Sequence, residues 1–322
     1  MVDFVAYIMS WNFTLQKSLP HNFTLQAGYV GTRAIHQVQP QNINYGQLGG
    51  GLPSQPFYQS IGVTSSMSVL LPMNHTFYDA LQSTLSRRFS SGLTISANYS
   101  FSKSLSRFAG SIPIPQYFRL NYGLNSIDVP NHFVFATSYQ LPFGKGKPFL
   151  SGGGFVTAIV SGWQISSLIS AFSGAPFSVS ASSTSLNAPG VSQRANQVLP
   201  NVQILGGTDP YFNPLAFAQP TCICFGTSGY NILRGPGVFD WDQSLFRRIH
   251  LSERFNLEFR AEGFNMTNTP HFANPASNVS SLQLNAAGQV SNLNGFGVIT
   301  TVNTGGRDFD ERYFRLGLRL SF

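Results

Sequence analysis

The chain has 322 residues, of which 42% are hydrophobic, 14% aromatic and only 10% charged, with a formal net charge of +7. An ordinary soluble domain carries about 25% charged residues, and here Ser, Thr, Asn, Gln and Gly replace the missing charge, since mean hydropathy is 0.00. This argues against a water-soluble surface of the usual kind, and basic residues that form no run or cluster argue against a nucleic-acid partner.

No stretch approaches the roughly 18 apolar residues of a transmembrane helix. The opening MVDFVAYIMSWNF has neither the basic segment nor the long apolar segment of a signal peptide. What the chain does have is period two, the signature of strands whose side chains alternate between two faces. Val5, Tyr7, Met9, Trp11, Phe13 and Leu15 share one parity, with Asn12, Thr14 and Gln16 on the other. After the turn LPHN, Phe23, Leu25, Ala27 and Tyr29 alternate with Thr24, Gln26 and Gly28. Phe77–Phe89 alternates more weakly, through Leu81 and Leu85. Beyond the turn SSG, LTISANYSF places Leu93, Ile95, Ala97, Tyr99 and Phe101 opposite Thr94, Ser96, Asn98 and Ser100. Phe133 to Leu141, Trp163 to Ile169 and Phe239 to Ile249 repeat the pattern. The turn HLSE and a strand from Phe255 to Glu262 follow, and ERYFRLGLRLSF closes the chain, with Phe314, Leu316, Leu318, Leu320 and Phe322 on one face.

These make nine strands, each close to or above the roughly 9–11 residues needed to cross a bilayer at a tilt. Short connections alternate with long ones, Thr32–Thr76, Ser104–Asn131, Gly174–Gly237 and Asn268–Asp310. The link FGKGKPFLSGGGFVTAIVSG is intermediate and falls on the short side. Outer-membrane barrels sort their connections this way, short in the periplasm and long outside. A soluble sandwich has no reason to do so. The sequence therefore predicts an all-β, antiparallel transmembrane β-barrel. With short turns periplasmic, the first strand runs inward from outside. Bacterial barrels have even strand numbers and an unpaired edge in lipid is very unfavourable, so residues 1–322 are expected to be the C-terminal part of a larger barrel.

The candidate chemistry is sparse. Asp240, Asp242, Arg248, Arg254, Glu258, Arg260 and Glu262 share the polar parity of the strands around HLSE, as do Arg315 and Arg319 in the last strand. A tight turn near Leu251 would place Asp242 opposite Arg260 and Ser244 opposite Glu258. Paired carboxylates can serve as general acid and base, as in glycosidases. The simpler reading is a lumen-facing charge ladder of Asp240, Asp242, Glu258, Arg260, Glu262, Arg315 and Arg319, because charges are costly in lipid. FGKGKP lacks the spacing and following helix of a phosphate loop, and no nucleophile elbow or metalloprotease motif occurs. Cys222 and Cys224 lack the nearby partners of a zinc site and read as a loop disulfide or two thiols. No enzyme, metal site or cofactor is expected. Aromatic-rich stretches of the long loops, PSQPFYQS, IPIPQYFRLNYG and DPYFNPLAFAQP, suit ligand contact and loop-on-loop packing equally.

The segments WNFTLQKSLPHNFTLQAGYVGTR, YDALQSTLSRRFSSGLTISANYSFSKSL, SGWQISSLISAFSGAPFSV and LRGPGVFDWDQSLFRRIHLSERFNLEFRAEGFNMTNTPHFANP resemble the C-terminal half of Oar-like TonB-dependent receptors, from Trp11 to Phe322. The resemblance implies a barrel of about 22 strands with a plugged lumen, of which this chain would supply the last nine. It also implies a plug domain, a β-sandwich and a signal peptide upstream, none of which this sequence contains. The implied partners are outer-membrane lipid, a scarce or bulky solute, the TonB complex acting through the plug, and the barrel-assembly machinery, which would read Phe322 as its signal. The alternatives are an adhesive surface protein and a passive pore.

Overall fold

The computed structural model describes residues 5–107, 112–144, 146–152, 154–252, 254–303 and 310–322. Its frame is one antiparallel meander in which each strand pairs with the next: β1 (Tyr7–Leu19), β2 (Phe23–Asn42), β3 (Ser68–Ser90), β4 (Leu93–Ser106), β5 (Asn131–Gln140), β6 (Trp163–Phe172), β7 (Val238–His250), β8 (Asn256–Phe264) and β9 (Tyr313–Ser321). All nine lie where the alternation predicts strands. No helix among the described residues is long and apolar enough to cross a membrane.

The two tightest turns follow from local chemistry. Between β1 and β2 the central turn residues His21 and Asn22 have φ of 60° and 64°. Between β3 and β4 they are Ser91 and Gly92, at 53° and 81°. Two successive positive φ values define the type I′ turn, whose twist matches that of the strands it joins. At Gly92 a β-carbon would also stand 3.1 Å from the carbonyl oxygen of Gln140.

β2 and β3 run 20 and 23 residues, far beyond the alternating core, so the first long connection narrows from the expected Thr32–Thr76 to residues 43–67. The sequence hid this because pairing register shifts between Ala34 and Val38, and Pro40 and Pro72 interrupt the upper ends. Outside the lipid a strand needs no continuous apolar face, so the periodic signal stops before the hydrogen bonds do. The link between β5 and β6, expected as an intermediate connection on the short side, carries a six-residue helix, Phe155–Val160.

One face of the meander is apolar and open: Phe13, Leu15, Phe314, Leu316 and Leu318 are each 64–73% exposed. In water this would be a large aggregation-prone patch; against lipid it is the expected outer wall. Charge was expected only on the opposite face, and the wall corrects that. Arg33 stands on the apolar parity at the long-loop rim, sandwiched between the Trp11 and Phe77 rings at 5.2 and 5.6 Å and paired with both oxygens of Asp79 at 3.0 and 2.9 Å. Lys103 stands opposite Asp79 in the register. Arg87 and Arg247 occupy the short-turn rim, over Phe23 and Trp163. Long basic side chains at a membrane boundary keep their stems in the apolar layer and their heads in the polar one, so rim positions tolerate them. The Trp11 indole lies over Gly31, where a β-carbon would be 2.5 Å away.

The four long connections, residues 43–67, 107–130, 173–237 and 265–312, gather at one end and pack on one another. Phe177, Val179, Phe212, Phe217 and Leu233 from the third join Val279, Phe296 and Ile299 from the fourth in one apolar core. A second core joins Ile114 to Leu186, Ala188 and Val191, with Tyr45, Leu48, Tyr117 and Phe225 packed around it, so all four connections take part. Short ladders brace the third connection, Pro176–Phe177 with Leu233–Arg234, Ser180–Ala181 with Gln193–Arg194, and Asn196–Gln197 with Phe217–Ala218. The result is a folded cap.

Candidate functional site

Two regions can meet a solute: the polar face of the wall and the cap. On the wall, the turn between β7 and β8 is longer than expected. It spans 251–255, where Phe255 accepts bonds from the amides of Leu251 and Ser252 at 2.9 and 3.2 Å; Glu253 lies outside the described residues. The register therefore slides, and the expected pairing of Asp242 with Arg260 and of Ser244 with Glu258 does not form. The observed pairs are Ser244 with Glu262, Phe246 with Arg260 and Arg248 with Glu258.

This register gathers part of the predicted charge set. Glu258 is only 7% exposed and is held between Arg248 at 2.9 Å and Arg260 at 2.5 Å, with Arg319 opposite it on β9. Arg315 donates to Glu262 from Nε at 2.8 Å and Nη2 at 2.7 Å. The other members lie elsewhere. Asp242 accepts the amide of Asn265 at 3.0 Å, and Asp240 stands opposite Ser170, both toward the cap end of β7. Arg254 belongs to the turn. A carboxylate fixed by two guanidiniums offers no free base, so Glu258 braces β7 against β8, and the Arg315–Glu262 pair ties β8 to β9. Above it, Thr94, Ser96, Ser138, Ser166 and Ser244 line a groove of about 330 Å³ that Asp242 and Glu262 also border.

In the cap, the aromatic segments resolve mostly into packing. Tyr211, Phe212 and Phe217 are buried, with Phe212 5.3 Å from Phe296 and 5.8 Å from Phe217 and the Tyr211 hydroxyl donating to the Arg234 carbonyl at 3.0 Å. Tyr117 stacks edge-on against Phe225 at 4.8 Å. Polar groups inside the cap tie its parts together. Asp128, 1% exposed, accepts the Ser104 amide and pairs with Arg234, which also donates to the carbonyls of Asp128 and Gly174 at 3.0 and 3.3 Å. His271 and Asp310 meet at 2.7 Å. Burial pulls the Arg194 guanidinium down to about 10, opposed by the Tyr230 hydroxyl beside it, and the same burial raises Tyr230. Cys222 and Cys224 form a disulfide. No cluster of His, Cys, Asp and Glu among the described residues is arranged to hold a metal ion.

The family model for an outer membrane beta barrel domain matches residues 4–313. No curated protein sequence matches the chain. Among solved structures, the chain is similar to the outer membrane transporter YddB from Escherichia coli, at 10% identity and a TM-score of 0.45, over 98% of this chain and 32% of that one. It is also similar to the ferric-catecholate import receptor Fiu of E. coli K12 in its closed form, at 12% identity and a TM-score of 0.31, over 88% of this chain and 35% of that one. The chain thus spans about a third of the length of these structures.

Proposed function

We propose, from the premise that the chain belongs to the outer membrane beta barrel domain family and sits in the bacterial outer membrane, that it forms part of the wall and mouth of a receptor that binds and takes up a scarce or bulky solute. Energy would come from the TonB complex acting through a plug in the lumen, and insertion would use the barrel-assembly machinery. The observation that carries this reading is the cap. Four connections that share two apolar cores cost sequence and stability that a simple open pore does not need, and they place a shaped surface at the extracellular mouth.

The wall's geometry supports a larger barrel. β1 and β9 run in the same direction, because nine antiparallel strands separate them by an even number of reversals. Neither outer edge has a partner among the described residues. Antiparallel closure therefore requires an odd number of further strands between β9 and β1, which a barrel of about 22 strands satisfies. The charge ladder in this reading is structural rather than enzymatic. It faces the lumen, where Glu258 and Glu262 neutralise part of a row of arginines.

The test is solute uptake by cells carrying the intact protein, with the inner-membrane proton gradient present or collapsed. Uptake that stops on collapse while surface binding persists is the expected result. Uptake that continues, together with steady conductance in planar bilayers, would replace the receptor with a passive pore.

A further inference from the structure

The four long connections carry only eleven charged side chains, six arginines and five carboxylates, and the first connection carries none. Several of these charges are already engaged within the cap. Arg234 is paired with Asp128, Asp310 with His271, and Arg194 lies buried over the Tyr230 ring at 5.4 Å. The surface offered to solvent is therefore close to neutral and rich in hydroxyls and amides. A receptor for an anionic chelate or an acidic polymer would need cations at its binding site, and the exposed Arg107, Arg119 and Arg312 lie outside the cleft that the third and fourth connections form.

Between the third and fourth connections the cap holds a cleft of about 550 Å³, a volume typical of small-ligand sites. None of the side chains lining it is charged or titratable. Phe217 and Val279, both buried, form an apolar floor, and Leu284, half exposed, stands at the mouth. The opposite side is a preset polar network. The Gln219 carboxamide accepts from Ser280 Oγ at 2.6 Å and donates to the Ser182 carbonyl at 2.9 Å, and the hydroxyls of Ser182 and Thr184 meet at 2.8 Å. Beside them the Ser185 hydroxyl is shielded from water and has no hydrogen-bond partner. Such an unmade bond is costly, and rotation of the Ser185 side chain toward the cleft would relieve it against a ligand hydroxyl.

We propose that this cleft binds an uncharged, hydroxyl-rich ligand, a neutral saccharide, with its apolar ring face on Phe217 and Leu284 and its hydroxyls on Ser185, Thr184 and Gln219. The inference rests on the receptor reading above and narrows it to a substrate class. A charged ligand would lose hydration in the cleft without gaining a counter-ion, whereas sugar hydroxyls exchange water for the serine, threonine and glutamine groups already in place.

The test is calorimetric binding to the full-length protein in lipid nanodiscs, using maltohexaose, cellohexaose and xylohexaose as neutral probes and a ferric tris-catecholate as the anionic one. At least one neutral hexasaccharide should bind and the chelate should not. Ser185→Ala removes a hydroxyl with no protein partner, so it should weaken sugar binding about tenfold while leaving the melting temperature unchanged. Leu284→Asp, at an exposed site, should weaken it further. Sugar binding that both variants leave intact would overturn the assignment to this cleft. Binding of the chelate in place of the sugars would overturn the neutral class and leave the receptor reading standing. No binding by any probe would overturn the neutral-saccharide assignment, and the receptor reading would still be decided by the uptake experiment above.

Discussion

The wall and the cap are built by one chain on opposite plans. In the wall, apolar residues point outward and polar ones inward, and the elements are long strands paired only with their sequence neighbours. In the cap, apolar residues point inward, and the regular elements are ladders two or three residues long joined by irregular backbone. The solvent explains the contrast. Lipid rewards an exposed apolar face, and its lack of hydrogen-bonding groups forces every backbone amide into a ladder. Water outside the membrane rewards an ordinary buried core and tolerates irregular backbone.

The largest expected effect breaks the cap alone. Phe212 is fully buried and packs against Phe177, Phe217 and Phe296. Phe212→Ala should cost the cap about 3–5 kcal/mol, read as lost protease resistance of the long connections while the wall still inserts. Next, Leu316→Arg, near the middle of β9 on the lipid face, should cost about 2–4 kcal/mol in membrane folding, with the cap ladders unaffected once the protein is inserted. Breaking the exposed Arg315–Glu262 pair by Glu262→Gln should cost under about 1 kcal/mol, as most solvated pairs do. Ser96→Arg, on the polar face, should be nearly silent. Equal penalties for Leu316→Arg and Ser96→Arg in a bilayer refolding assay would mean that the two faces are assigned the wrong way round.

The same contrast decides what the sequence could reveal. The wall was legible because alternation is local: LTISANYSF and YFRLGLRLSF announce both their period and their outward face. Where period two fades, as above Ala34 in β2 and before Phe77 in β3, pairing continues unseen. The β7–β8 register was missed because the longer turn, 251–255, is set by backbone bonds at Phe255 that leave no mark in the residue pattern. The charged residues themselves were visible, yet which of them meet depends on that register. Thus Glu258 gathers Arg248 and Arg260, and Asp242 turns instead to Asn265. The cap was the least legible part. Phe212 meets Phe296 across more than eighty residues, and neither stretch has a period that tells packing from ligand contact. The cleft lined by Ser185 and Gln219 is likewise a tertiary product, and the scarcity of charge in the long connections was its only trace in the sequence.

The central claim is that the long connections form one folded cap, and hydrogen–deuterium exchange of the protein in lipid nanodiscs tests it most directly. The amides of Ala195, Val198, Tyr211 and Gly297 donate to Val179, Ala216, Gly297 and Ala276 respectively, at 2.7–3.1 Å. They should exchange slowly and lose protection together in Phe212→Ala. Exchange of these four amides at the rate of an unstructured chain, with β1–β9 fully protected, would contradict the cap and leave only loops around a wall.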